Sequence, residues 1–159
     1  MRTIRYFLVT VYYLRLSQIC FRFLRLIKVN RLSKASAPGM RRMTGQWLKP
    51  VAKETSMIGP LKFRFLNLDV TFNFGIVWDN PKLPTLWRYN LHYFDDLSSK
   101  DSSERFCLHT KMISHWIKAN PEAKGTGWEP YPTSLRIVNL IKWQLTGNIL
   151  PPAVVISLV

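Results

Sequence analysis

The feature that most constrains the fold of this chain is the recurrence of apolar residues at helical spacing in three separate segments. Residues 4–32 predict one long helix, or two helices with a break near Ser17. Residues 103–119 and 134–146 predict two further helices. These segments together predict a mainly α-helical fold.

Local sequence signals mark the ends and the buried sides of the two later helices. Ser102 or Ser103 can cap the first of them, and Asn120-Pro121 ends it because the residue before a proline disfavours helical geometry. Its predicted buried stripe consists of Phe106, Met112, Ile113, Trp116 and Ile117. The last helix is predicted to start after Thr133 or Ser134 and to stop at Gly147-Asn148. Its predicted buried residues are Leu135, Val138, Ile141 and Leu145.

A short β-hairpin is predicted between the first and second helical regions. Residues 62–65 and 70–74 alternate aromatic with polar side chains, and the Asn67-Leu68-Asp69 segment between them favours a turn. Residues 34–43, which mix Ser, Ala, Pro and Gly with basic residues, are predicted to form a linker. Residues 78–84 and 122–132 are predicted to be loops, since proline interrupts both.

Positive charge is concentrated at the beginning of the sequence. The chain has a formal net charge of +14, and its first 53 residues contain twelve Lys and Arg but no Asp or Glu. Such a field attracts polyanions, whether nucleic acid, anionic lipid or acidic polysaccharide, although it can also be an ordinary solvated surface. Residues 1–33 are therefore interpreted as a basic amphipathic helical segment that is compatible with peripheral contact to a membrane.

The same segment is not predicted to span a membrane or to act as a signal peptide. The apolar run from Phe7 to Leu14 has about half the length that a span needs, and Arg15 and Arg22 interrupt the residues beyond it. No small-residue cleavage site comes after the run. The sequence leaves open whether the protein is cytoplasmic or belongs to the cell envelope.

The residue patterns of autonomous catalysis, metal binding and cofactor binding are missing. The sequence has no Gly-rich phosphate loop, and His109 and His115 are six residues apart, which does not place them on one helical face. Asp95 and Asp96 are adjacent, so their side chains are expected to point in different directions. Cys20 and Cys107 are too few for a disulfide framework, and both are expected to be buried. No catalytic residue, metal or cofactor is predicted.

Two motifs are more informative about function than the overall composition. The first motif is residues 87–95, Trp-Arg-Tyr-Asn-Leu-His-Tyr-Phe-Asp, and the second is residues 127–139, Gly-Trp-Glu-Pro-Tyr-Pro-Thr-Ser-Leu-Arg-Ile-Val-Asn. Between them lie residues 113–117, Ile-Ser-His-Trp-Ile, followed by Asn120-Pro121. This order resembles the N-terminal region of the heparinase II/III-like family of bacterial polysaccharide lyases, relatives of which include alginate lyases. The Leu16-Ser17-Gln18-Ile19 segment and Arg22 resemble the family's opening helix, so the likeness spans nearly the whole chain.

The resemblance implies both a fold and a reaction. The family has an incomplete α/α toroid followed by an antiparallel β-sandwich, and residues 34–159 would be the start of that toroid. The family cleaves uronic-acid polysaccharides by β-elimination, with a Tyr and a His as acid and base and a polar amide that helps to neutralise the carboxylate. These catalytic residues lie later in the family's chains, so none has a position here. The chain is therefore expected to be a truncated and inactive N-terminal module, with the rest of the toroid and the β-sandwich absent.

Five residues are predicted to contact an acidic sugar: Trp128, Tyr131, Arg136, Asn139 and Trp143. Arg136, Asn139 and Trp143 follow at i, i+3 and i+7 and so share one helical face. A guanidinium, an amide and an indole there could bind a carboxylated sugar by hydrogen bonding and stacking. Alternatively, Arg136 holds the loop at 127–132 in place and Trp143 packs against a neighbouring helix.

The main alternative function is that of a non-enzymatic basic protein that binds nucleic acid or an anionic membrane surface. Nucleic-acid binding requires aromatic residues interleaved with the basic ones. Here the basic region lies mostly before Lys53, whereas most Trp residues follow Trp78. The distribution favours acidic polysaccharide over nucleic acid as the partner.

Overall fold

The computed structural model describes residues 2–27, 42, 44–48 and 51–157. The chain divides into two compact units, Met1–Ser33 and Lys34–Val159, and each is treated by itself. Apart from Arg42, the linker predicted at 34–43 lies outside the described residues, as does the part of the predicted first helix beyond Ile27.

The first unit contains two helices, α1 (Arg2–Tyr13) and α2 (Leu16–Ile27). The break lies at Leu14-Arg15, two residues before the predicted position at Ser17. Gln18 explains this position, because its side-chain Oε1 accepts a hydrogen bond from the Arg15 N–H at 2.9 Å and so caps the start of α2.

The second unit begins with a three-stranded antiparallel sheet of β1 (Met57–Gly59), β2 (Lys62–Phe65) and β3 (Leu68–Thr71), in that order. The predicted hairpin is confirmed, but the predicted turn at residues 67–69 is wrong. Leu66 and Asn67 form the turn with φ of 53° and 61°, which is the geometry of a tight two-residue hairpin. Asp69 belongs to β3, where its carboxylate pairs with Arg64 on β2 at 2.6 Å. Strand β1 escaped prediction because it has only three residues.

Four helices follow the sheet: α3 (Thr85–Tyr93), α4 (Phe106–Ala119), α5 (Pro130–Leu145) and α6 (Pro152–Ser157). Short 3-10 turns lie at Asp95–Ser98, Ser102–Arg105 and Thr126–Trp128. The predicted Ser cap of α4 is wrong, because both serines belong to the preceding 3-10 turn and no side chain caps the helix. Helix α5 begins four to five residues earlier than predicted, with Pro130 in its first turn, where the missing N–H is not needed.

The buried face of α4 agrees largely with prediction, whereas that of α5 does not. Met112, Ile113 and Trp116 are buried as expected, although Phe106 is 43% exposed. On α5, Val138 and Ile141 are exposed instead of buried. The residues that α5 does bury are Pro132, Arg136, Asn139, Leu140 and Trp143. Cys20 and Cys107 are exposed, against expectation. The described part of the chain is thus mainly helical with one small sheet, as predicted.

Candidate functional site

The two motifs meet in the second unit. Helix α3 carries most of the first motif, and the 3-10 turn at Thr126–Trp128 with the start of α5 carries most of the second. Arg88 Nη1 donates to Thr126 Oγ1 at 3.3 Å, and the Tyr89 hydroxyl donates to a Glu129 carboxylate oxygen. Asn139 Nδ2 donates to the Tyr93 carbonyl at 2.8 Å. Residues that are some forty positions apart in sequence therefore build one local structure.

Arg136 lies inside this structure. Its side chain packs beside two indoles that contact each other: Cζ lies 3.8 Å from the Trp116 ring centre and 5.3 Å from that of Trp128, and the two ring centres are 5.4 Å apart. Its Nη1 donates to the Gly127 carbonyl at 2.6 Å. Burial lowers the pKa of Arg136 to about 10, and no carboxylate of the described residues pairs with it. The guanidinium therefore holds the 3-10 turn against α4, as the alternative interpretation of the sequence proposed.

Asn139 and Trp143 share the inner face of α5 with Arg136. Asn139 is 2% exposed and also donates to Asp95 Oδ1 at 2.7 Å. Trp143 is 3% exposed and stacks on Phe106, with ring centres 5.7 Å apart. The predicted common face is real, but it faces the core. Among the five predicted sugar-contacting residues, the two with more ring surface open to solvent are Trp128, which is half-buried, and Tyr131, which is 60% exposed.

Tyr131 belongs to a group that we call the tyrosine patch: Tyr89, Tyr93, Tyr131 and Glu129. The Tyr131 ring meets the Tyr93 ring edge to face, with centres 5.6 Å apart. The Tyr93 hydroxyl is buried and has no hydrogen-bond partner among the described residues. Burial, together with Tyr131, Tyr89 and Asp95, raises the pKa of Tyr93 to about 12. At neutral pH this hydroxyl keeps its proton and can both donate and accept.

The chemistry of the tyrosine patch suits an oriented contact with a polyhydroxylated ligand. Tyr131 offers an open ring face for stacking, and the exposed pair of Tyr89 and Glu129 offers polar atoms for hydrogen bonding. The hydrogen bond to Glu129 raises the pKa of Tyr89, so this hydroxyl also stays protonated. Sequence analysis missed Tyr89 and Tyr93, although their i, i+4 spacing within the first motif places them on one side of a helix.

A cleft elsewhere in the second unit competes with the tyrosine patch. The cleft, of about 490 Å³, lies between the segment at 97–103, Phe106 and Trp143. Several polar groups along it are already engaged: Ser99 Oγ donates to the Asp96 carbonyl at 2.7 Å, and Asn148 Nδ2 donates to the Trp143 carbonyl at 2.9 Å. The cleft therefore offers fewer unused polar groups than its lining suggests, and the tyrosine patch is the stronger candidate.

The three histidines are held by internal hydrogen bonds. His92 is fully buried, its Nδ1 accepts from Trp116 Nε1 at 2.9 Å, and burial lowers its pKa to about 4. The neutral ring therefore carries its proton on Nε2, which lies 4.0 Å from Asp79 Oδ1. His109 is also fully buried, and His115 Nδ1 accepts from Trp78 Nε1 at 2.9 Å. Because they are fully buried, His92 and His109 cannot contact a polysaccharide in this structure.

The adjacent acids point in different directions, as expected. Asp95 pairs with Lys53 at 2.6 Å near the surface, whereas Asp96 is buried. The Asp96 carboxylate accepts hydrogen bonds from the Ser56 N–H at 2.7 Å, the Met57 N–H at 2.9 Å and Arg105 Nε at 3.0 Å, and it contacts His109 Nε2 at 2.8 Å. Asp96 thus joins β1 to α4 and to the 3-10 turn before it.

Within the described residues, no group of three His, Cys, Asp or Glu side chains is arranged to hold a metal ion. No protein-family model matches the sequence, and neither a curated protein nor a solved structure is significantly similar to it.

Proposed function

We propose that this chain is the N-terminal module of a heparinase II/III-type lyase, that it forms the start of an incomplete α/α toroid, and that it binds uronic-acid polysaccharide without cleaving it. The observation that carries the proposal is the tyrosine patch, to which both resembling motifs contribute. An exposed ring beside the solvent-accessible pair of Tyr89 and Glu129 is the type of surface that a sugar ring can contact by stacking and hydrogen bonding.

The charge of the chain supports an acidic sugar as the ligand. A formal charge of +14 raises the local concentration of a polyanion and speeds its encounter with the protein. The tyrosine patch itself supplies no positive charge, because Tyr89 and Tyr93 stay protonated and Glu129, which accepts a hydrogen bond from Tyr89, is a carboxylate. Long-range attraction and local stacking are therefore separate contributions to the proposed binding.

Tyr131→Ala is expected to weaken binding of uronic-acid oligosaccharides roughly fivefold, because a lost ring contact costs about 1 kcal/mol. Tyr93→Phe, which removes only a buried hydroxyl, is expected to leave the affinity unchanged. Titration calorimetry with alginate, polygalacturonate and heparin fragments measures both variants.

Two exposed phenylalanines provide matched controls for this experiment. Phe74→Ala removes an exposed ring outside the tyrosine patch and is expected to leave the affinity unchanged. Phe106→Ala removes the open ring of the competing cleft. If Phe106→Ala weakens binding and Tyr131→Ala does not, the sugar occupies the cleft and our assignment of the tyrosine patch is wrong.

The isolated chain is expected to show no lyase activity on any uronic-acid polymer. β-Elimination needs a base at the C5 proton and a group that stabilises the developing charge, both within hydrogen-bond reach of one sugar. His92 and His109 are fully buried, and His115 is bound to Trp78. The unsaturated product absorbs in the ultraviolet, so a polymer panel can be screened directly. A steady rise in absorbance that disappears on His115→Ala would refute the proposal.

A further inference from the structure

The first unit exposes an apolar surface that the proposed function does not use. On α2, positions 16, 19, 20, 23 and 24 fall on one side of the helix, and Gln18 and Arg22 fall on the other. Leu16, Phe23 and Leu24 are 81%, 63% and 56% exposed. Large apolar side chains rarely stay in water as a contiguous surface without an interaction partner.

Helix α1 also exposes aromatic residues. Tyr6, Tyr12 and Tyr13 are all well exposed, and the last two rings meet edge to face with centres 5.4 Å apart. Tyrosine has an apolar ring and a polar hydroxyl, so it is favoured at the boundary between lipid tails and water. The sequence thus provides both the apolar and the interfacial side chains of a membrane-binding segment.

The positive charge of these helices indicates which kind of membrane surface they can bind. Residues 2–27 contain five arginines and no acidic residue, and the first acid of the chain is Glu54. Arg22 lies outside the side of α2 that carries Leu16 and Phe23, which is the arrangement of an amphipathic helix whose apolar side enters a bilayer while its cations remain among the headgroups. Anionic headgroups complement this charge.

Helix length distinguishes a helix that lies on the membrane from one that crosses it. Helices α1 and α2 have 12 residues each, which corresponds to about 18 Å, against about 30 Å for the hydrocarbon core. Among the described residues no single helix is long and apolar enough to span, and residues 4–13 with 16–24 meet that test only as a pair bent by 110°.

We propose that α1 and α2 bind the surface of an anionic lipid bilayer, with Leu16, Phe23 and Leu24 buried between the headgroups and Arg15 and Arg22 bound to lipid phosphates. This interaction is independent of the polysaccharide proposal, since it uses residues of the first unit alone. It would hold the sugar-binding unit next to a membrane.

Vesicle co-sedimentation of the full chain tests this proposal. The chain is expected to sediment with vesicles of phosphatidylcholine containing about one third phosphatidylglycerol, and to bind pure phosphatidylcholine much more weakly. Raising the salt concentration from about 0.1 M to 1 M shortens the screening length from about 10 Å to 3 Å, so it should release much of the bound protein. Equal binding to both vesicle types, or no salt dependence, would contradict the electrostatic part of the proposal.

Variants separate the apolar and cationic contributions. Arg15→Gln with Arg22→Gln is expected to weaken binding roughly 25-fold, about fivefold for each cation. Leu16→Ser with Phe23→Ser is expected to weaken it about 100-fold or more. The matched controls Arg64→Gln and Phe74→Ser alter an exposed arginine and an exposed aromatic of the second unit and should have no effect.

Three outcomes would overturn the proposal. Retention of the chain in the membrane pellet after alkaline carbonate extraction would mean that the helices are inserted as a span. Unchanged vesicle binding by the Leu16→Ser/Phe23→Ser variant would mean that no apolar side enters the bilayer. Binding to duplex DNA that is tighter than vesicle binding, and that depends on the arginines alone, would identify nucleic acid as the partner instead.

Discussion

Replacement of Asp96 by alanine is expected to lower the free energy of unfolding by about 3–5 kcal/mol, the usual cost of removing one partner from a buried charge pair. The change would leave Arg105 and the buried His109 without their acceptor, and the Ser56 and Met57 N–H groups without theirs. Chemical denaturation followed by tryptophan fluorescence measures the loss. Asp69→Ala, which removes an exposed partner of Arg64, is the matched control and should leave the unfolding curve almost unchanged.

The same carboxylate predicts a direction for the effect of acid. Burial alone would raise the pKa of Asp96, but the hydrogen bonds from His109, Met57 and Ser56 and the charge of Arg105 outweigh it and lower the pKa. The stability that Asp96 provides is therefore complete above its unfolded pKa of about 3.9, and is lost as the pH falls through the lower folded value. Asp96→Asn should make the free energy of unfolding depend less on pH in the acid range. If the variant loses stability with falling pH just as the wild type does, Asp96 is not the source of the acid dependence.

Arg136→Ala is expected to destabilise the protein by about 2–4 kcal/mol, because a charge-assisted hydrogen bond and a large packed side chain are lost together. The Gly127 carbonyl would lose its donor, and a void would remain beside the Trp116 and Trp128 rings. Thermal unfolding measures the effect, and Arg64→Ala is the control at an exposed arginine.

Arg136→Lys separates this structural role from sugar binding. Lysine keeps the positive charge but lacks the planar fork that packs against the two indoles, so we expect an intermediate loss of stability with unchanged sugar affinity. If the folded variant instead loses affinity without losing stability, Arg136 contacts the sugar, as the sequence pattern first indicated.

Periodicity predicted the helices well and failed where polar side chains lie inside. It treated Val138 and Ile141 as buried because apolar residues usually are, yet α5 is oriented by Arg136 and Asn139, whose partners are backbone carbonyls of Gly127 and Tyr93. Such partners are distant in sequence, and the residues of a single helix do not reveal them. Asp96 escaped recognition for the same reason.

Segments with clear helical periodicity gave a stronger signal than the aromatic-rich segment that forms α3. Periodicity does not predict helix α3, because Trp87, Tyr89 and Tyr93 spread aromatic side chains around it and leave little contrast between its sides. At the candidate site the sequence identified Tyr131, whose ring is exposed, but not the hydroxyl of Tyr93. An unpartnered buried hydroxyl is a property of the packed structure and cannot be read from residue types.

The close approach of Gly127 to the His92 ring limits which substitutions homologous sequences can accept at these positions. A Cβ at residue 127 would lie 2.6 Å from His92 Nδ1 and 3.1 Å from the Trp116 ring, so no side chain fits while both rings are present. His92 Nδ1 in turn accepts from Trp116 Nε1. Positions 92, 116 and 127 should therefore change only together across homologous sequences, and this linked triplet, from three separate segments, is a more discriminating signature for finding distant relatives than any one motif alone.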